Sequence, residues 1–133
     1  MSEYVLDTSA VMAVLEGEEG GETVMSLIEG GSDCALPFVV MMEVEYKLIA
    51  KRLAKVDDAL SFVSDWPCTL VESDEPWRRI AAQVKAVGRL SFADSWVASL
   101  ALVQDAVLVH KDPEFEKVRD LQHLKLPDKA RRS

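Results

Sequence analysis

The sequence is poor in the residues that support thiol and zinc chemistry. It has two cysteines and two histidines among 133 residues, no CxxC pair, and no histidine at ligand spacing from Cys34 or Cys68. Neither a disulfide framework nor a zinc site is therefore indicated, and both thiols read as reduced core residues of a cytoplasmic protein. No apolar run approaches the ~20 residues that a membrane span requires, so no membrane association is expected. GxGxxG and GxxxxGK[ST] are both missing, which removes the common phosphate-cradling loops. Positive charge is also scarce. Fifteen Lys and Arg face 23 Asp and Glu, a net charge of −8, so the surface as a whole repels a polyanion. Any nucleic-acid contact must use a local basic stripe or bound cations.

A hydrophobic content of 49% is enough for one core and too little chain for two. Residues 1–126 read as a single domain and 127–133 as a polar, disordered tail. EYVLD (3–7) predicts a buried strand running into a short helix that stops at Gly17. A second helix follows across GETVMSLIEGG, then CALP as a brief strand closed by Pro37. Helices over Val39 to about Leu53 and Asp57 to Asp65 pair as a hairpin. CTLVES (68–73) is the third strand, PWRRIAAQVKAVGR and SFADSWVASLALVQ are helices, and AVLVHKD (106–112) is the fourth strand. DPEFEKV starts a last short helix, and LQHLKL is an edge strand. Strands separated by one or two helices pair in parallel, so the fold class is α/β: a central parallel sheet of four to five strands with helices on both faces. Ligands of such sheets gather beyond the carboxyl ends of the strands, near the point where strand order reverses.

Four acids are placed to meet there. Asp7 ends the first strand and Asp112 the fourth, while Glu43 and Asp94 sit on flanking helices. Each also has a simpler role. Asp7 can cap the SAVMAVL helix. Asp112, followed by Pro113 and Glu114, has the pattern of a cap, an N1 proline and a first-turn acid. Glu43 can head a ladder with Lys47 and Lys51; at 100° per residue it lies beside the arc of Val39, Met42, Tyr46 and Ile49, at the border of the expected buried face. Asp94 can complete a capping box with Ser91, but its helix has no other charge between Arg89 and Asp105, and a buried carboxylate is costly unless paired or metal-bound. Clustered carboxylates repel and their pKa values rise unless a divalent cation neutralises them. All-oxygen donors favour Mg²⁺ or Mn²⁺.

The motifs LDTSA after the first strand, E-x-x-Y (Glu43, Tyr46), S-x-x-DSWVASLAL around Asp94, and HKDPEF after the fourth strand together resemble the PIN-domain family, in particular its stand-alone VapC-type toxin ribonucleases. The resemblance covers roughly Tyr4 to Leu126. It implies a PIN-like α/β/α sandwich and a Mg²⁺- or Mn²⁺-dependent endoribonuclease whose acidic quartet is Asp7, Glu43, Asp94 and Asp112, supported by Thr8 and Ser9. Many family members have a threonine two residues before the last acid and an aspartate two after it. Here those positions hold His110, read as a strand-end core histidine, and Glu114, which can add a carboxylate to the metal.

Lys47, Lys51, Arg52 and Lys55 follow Glu43, and Arg78, Arg79, Lys85 and Arg89 precede Asp94; of these Lys47, Lys51, Arg52 and Arg89 are the leading candidates for phosphate contacts with an RNA substrate. Trp77 and Trp96 are either stacking platforms or core residues. Glu45 lies about 200° round the helix from Glu43 and faces elsewhere. A second apolar stripe on the same helix, Met41, Val44 and Leu48, leaves one face for a partner, and the resemblance implies both a homodimer and a small antitoxin protein. The competing reading is a non-catalytic α/β regulatory domain, such as a phosphoacceptor module using Asp7 and Lys111. It lacks the second acid beside Asp7 that such a module needs.

Overall fold

The computed structural model describes residues 1–52 and 55–128. The chain runs β1 (Tyr4–Leu6), α1 (Thr8–Leu15), α2 (Gly21–Glu29), β2 (Cys34–Pro37), α3 (Phe38–Ala50), α4 (Val56–Ser64), β3 (Thr69–Val71), α5 (Glu75–Val87), α6 (Phe92–Gln104), β4 (Val107–His110), a short 3-10 helix (Pro113–Lys117) and β5 (His123–Lys125). Each expected element is present. The expected ends at Leu53 and across 129–133 lie outside the described residues.

The strands form one sheet in the order β3-β2-β1-β4-β5, and every pairing is parallel. From β1 the chain steps outward to β2 and β3, then returns to the other side of β1 as β4. Because parallel crossovers are right-handed, that reversal puts helices on both faces of the sheet. It also opens the crevice between β1 and β4, whose register aligns Leu6 with Val109. Beyond those two residues lie Asp7 and, after a short overhang, Asp112.

Helix starts follow local chemistry. Asp7, Asp74 and Ser91 cap α1, α5 and α6 with side-chain oxygens, and Asp112 caps the 3-10 helix. Pro76 lies in the first turn of α5 and Pro113 opens the 3-10 helix, where a missing N–H costs nothing. The core is Val5 and Leu6 of β1, Leu108 and Val109 of β4, and Val97, Ala98, Leu100 and Ala101 of α6, all buried. Truncating a fully buried side chain such as Leu108 to alanine should cost about 2–5 kcal/mol. α2 crosses α1 closely at Gly21, where a Cβ would meet the Ala13 carbonyl oxygen at 2.7 Å.

One expectation is reversed on α3. Its buried residues are Val40, Val44 and Leu48, whereas Met42 (67% exposed), Tyr46 (48%) and Ile49 (58%) face outward. With two apolar stripes on one helix, periodicity alone does not choose between them; packing against α1, α4, α6 and β2 does. Trp77 belongs to the core. It is 1% exposed, its indole N–H is shared between Ser99 Oγ at 2.8 Å and the Trp96 carbonyl at 2.9 Å, and it packs edge-on against Trp96 and Phe38. Cys34 and Cys68 are free thiols. No helix among the described residues is long and apolar enough to cross a membrane.

Candidate active site

The end of β1 delivers Asp7 into the β1–β4 crevice, with its backbone N–H donating to the Val109 carbonyl at 3.0 Å. The side chain is 4% exposed. Oδ2 accepts from the Ser9 N–H at 3.1 Å and from the Ser9 hydroxyl at 2.5 Å, so the capping interaction uses a single oxygen. Oδ1 is buried and has no hydrogen-bond partner among the described residues. Burial pushes the Asp7 carboxyl up to about 6; the Ser9 hydrogen bonds pull against that shift, and the nearby charge of Glu43 adds to it.

The charges of the four acids meet at Asp94. Asp94, half-buried in the first turn of α6, receives its backbone cap from Ser91 Oγ at 3.1 Å. Its carboxyl is pushed up to about 7, first by burial and then by the charges of Asp7, Asp112 and Glu43. Glu43 reaches the rim from α3 and accepts the Thr8 hydroxyl at 2.7 Å. Asp112 Oδ1 accepts the Glu114 N–H at 2.9 Å. Ser9 joins the two strand ends: its hydroxyl donates to Asp7 while accepting the Lys111 N–H at 2.9 Å, across 102 residues of sequence.

The remaining candidates lie outside this knot. The Glu114 carboxylate takes Lys117 at 2.7 Å on the surface. Lys51 pairs with Glu16 at 2.5 Å, so the Glu43–Lys47–Lys51 ladder does not form through Lys51. Lys47 is half-buried, Arg52 and Arg89 are exposed, and Glu45 is exposed as expected. The Lys111 ammonium turns towards Glu18 at 3.5 Å. His110 is fully buried and held neutral, its pKa lowered to about 4 by burial and by His123.

The donor set suits a hard divalent cation. It consists of carboxylate oxygens, one of them buried without a donor, with two carboxyls whose charged forms are disfavoured until positive charge arrives. Among the described residues no group of three or more His, Cys, Asp or Glu side chains is drawn together closely enough to hold a metal ion by direct contact alone. A hard divalent ion that keeps several of its waters can be held by such acids partly through those waters rather than by direct contact with each.

The model of the PIN domain matches residues 4–121. The chain belongs to the PIN-domain family. Among solved structures, this PIN domain is similar to a chain of the Rickettsia felis VapBC2 complex bound to a promoter DNA fragment, with a TM-score of 0.77 and 15% identity over 93% of this chain and 98% of that one. It is also similar to VapBC-1 of nontypeable Haemophilus influenzae, at 0.72 and 21% over 92% and 96%. A third relative in fold is Mycobacterium tuberculosis VapC20, a toxin that cleaves the sarcin-ricin loop, at 0.67 and 15% over 85% and 92%. At these identities the likeness is one of fold. No curated protein matches by sequence.

Sequence reasoning missed two contacts that organise the PIN-domain rim, the Ser9–Lys111 tie and a hydrogen bond from His110 to His123 at 2.8 Å. Both join segments far apart in the chain. The available signal was a histidine in place of the family's threonine two residues before Asp112.

Proposed function

We propose that this PIN-domain protein is a Mg²⁺- or Mn²⁺-dependent endoribonuclease and the toxin of a type II toxin–antitoxin pair. The observation that carries the reading is the Asp7 carboxylate: buried, hydrogen-bonded among the described residues through Oδ2 alone, and interacting with Glu43 and with Asp94, which Asp112 also approaches. When bound, a divalent ion supplies Lewis-acid activation of water and compensates the charge that grows on the transferring phosphoryl group. Asp7 Oδ1 and the carboxylates of Asp94, Asp112 and Glu43 would hold it. Ser9 fixes Asp7 by occupying Oδ2, which leaves Oδ1 aimed at the ligand. Thr8 orients Glu43. Glu114, two residues beyond Asp112, would join only by exchanging its contact with Lys117. Arg52 and Arg89 are exposed, and with Lys47 and Lys51 they are the residues proposed to steady the RNA phosphates on either side of the cut.

The exposed stripe Met42, Tyr46 and Ile49 on α3 is the proposed partner surface, to be covered in a homodimer or by the antitoxin. The phosphoacceptor alternative is weakened because the Lys111 ammonium it would use is turned towards Glu18. The test is incubation of purified protein with single-stranded and structured RNA in Mg²⁺, Mn²⁺ or EDTA, beside Asp7→Asn and Asp94→Asn. Metal-dependent cleavage lost in both variants supports the proposal; undiminished cleavage in either points to a contaminating nuclease.

A further inference from the structure

The fourth acid is held by a device that the carboxylates themselves do not explain. His110, the last residue of β4, is fully buried, with the Phe115 ring inclined at 63° and its centroid 4.9 Å away, and with the His123 ring nearly coplanar at 10° and 5.1 Å between centroids, side by side as an in-plane bond between ring nitrogens requires. Its Nδ1 accepts the Asp112 N–H at 3.1 Å. A ring nitrogen that accepts from an amide carries no proton, so the neutral ring holds its proton on Nε2 and donates it to His123 Nδ1 at 2.8 Å. His123 lies on the edge strand β5, and the Leu126 N–H bonds back to the His110 carbonyl at 2.7 Å. Asp112 is thus fixed at its amide by His110 and at Oδ1 by Glu114, while the amide of the intervening Lys111 is fixed by Ser9.

We infer that His110 and His123 form a positioning pair for Asp112: His110 supplies the acceptor that sets the Asp112 backbone, and His123 locks the tautomer that keeps this acceptor free. The edge strand β5 thereby becomes part of the site. The inference rests on the metal-site reading above and adds to it a role for two residues that touch no ligand. Both ring nitrogens of a buried histidine need partners, and here one partner is the backbone of a site acid and the other a side chain of the edge strand, which links the two. Groups behind a metal ligand typically change metal affinity by about 10–100-fold when removed.

Four forms of the full chain test it: wild type, His110→Leu, His110→Asn and His123→Ala. Leu fills the volume without an acceptor. Asn places an amide oxygen near the Nδ1 position but does not reach His123. Long-range ¹H–¹⁵N spectra of the metal-free protein should show the Nε2-protonated tautomer of His110 and slow exchange of the Asp112 amide. Mn²⁺ titration by calorimetry should then give a Kd about tenfold weaker for His110→Leu, within about threefold of wild type for His110→Asn, and between the two for His123→Ala. Wild-type affinity in a folded His110→Leu, or an Asn variant as weak as the Leu variant, overturns the inference. If His110→Leu does not fold, the exposed position 123 decides, and unchanged Mn²⁺ affinity and Asp112 exchange in His123→Ala overturn the pair. A wild type that takes up no Mn²⁺ at all overturns the metal-site reading itself, an outcome distinct from the others.

Discussion

Asp7 and Asp74 perform the same local task and differ in everything around it. Each caps a helix, Asp7 through the Ser9 N–H at 3.1 Å and Asp74 through the Trp77 N–H at 3.0 Å. Asp74 stands in solvent, where its second oxygen can bond to water. Asp7 is buried, with its second oxygen unpartnered and three other acids nearby. Capping therefore accounts for one oxygen of each residue, and the burial of the other oxygen is what marks a site. Asp112 differs from an ordinary Asp-Pro helix start in another way, since its charge acts on Asp94.

Asp7→Asn breaks the comparison most severely. It keeps the size and a capping oxygen but removes the charge, and RNA cleavage should fall by about 100-fold or more, as when other preorganised electrostatic groups are deleted. Ser9→Ala should follow at about 10–100-fold, because it leaves Asp7 Oδ2 with the backbone N–H alone and unties Lys111 at the same time. Single-turnover cleavage under saturating Mn²⁺ measures both. A variant that retains full activity in either case would show that the buried cap is only a cap.

The third prediction concerns pH without metal. Asp7 and Asp94 have pKa values raised to about 6 and about 7 from 3.8. The native state therefore binds more protons than the unfolded state between about pH 4 and 7, and these groups make stability fall as pH rises through that window. His110, lowered to about 4 from 6.5, acts in the opposite direction over part of it. Comparing Asp94→Asn with wild type in EDTA cancels that contribution. The melting temperature of the variant should gain on wild type from pH 4 to 7 and level off above. A constant difference would mean that Asp94 is not strained by its neighbours. The smallest effect belongs to Asp74→Ala, which should cost about 1 kcal/mol in urea denaturation and leave cleavage unchanged.

The strands and helix starts were legible because they rest on local chemistry: apolar runs, capping residues and prolines at fixed offsets. The four acids were legible because strand order in a parallel sheet brings the ends of β1 and β4 together, and Glu43 and Asp94 lie on helices beside them. The buried side of α3 was not, since Val44 and Leu48 compete with Met42, Tyr46 and Ile49 on composition alone. Nor was the partner of His110. His123 comes 13 residues later, on a three-residue strand whose register is fixed only by pairing with β4. Such contacts depend on tertiary packing and leave no periodic trace.

The central claim is that the four carboxylates share a divalent cation, and thermal unfolding with and without Mn²⁺ at pH 7.5 tests it most directly. At a hundredfold excess over Kd, binding to the native state alone adds about 2.7 kcal/mol of stability. The melting temperature of wild type should rise by several degrees and that of Asp94→Asn by much less. Equal shifts in the two proteins would contradict the account.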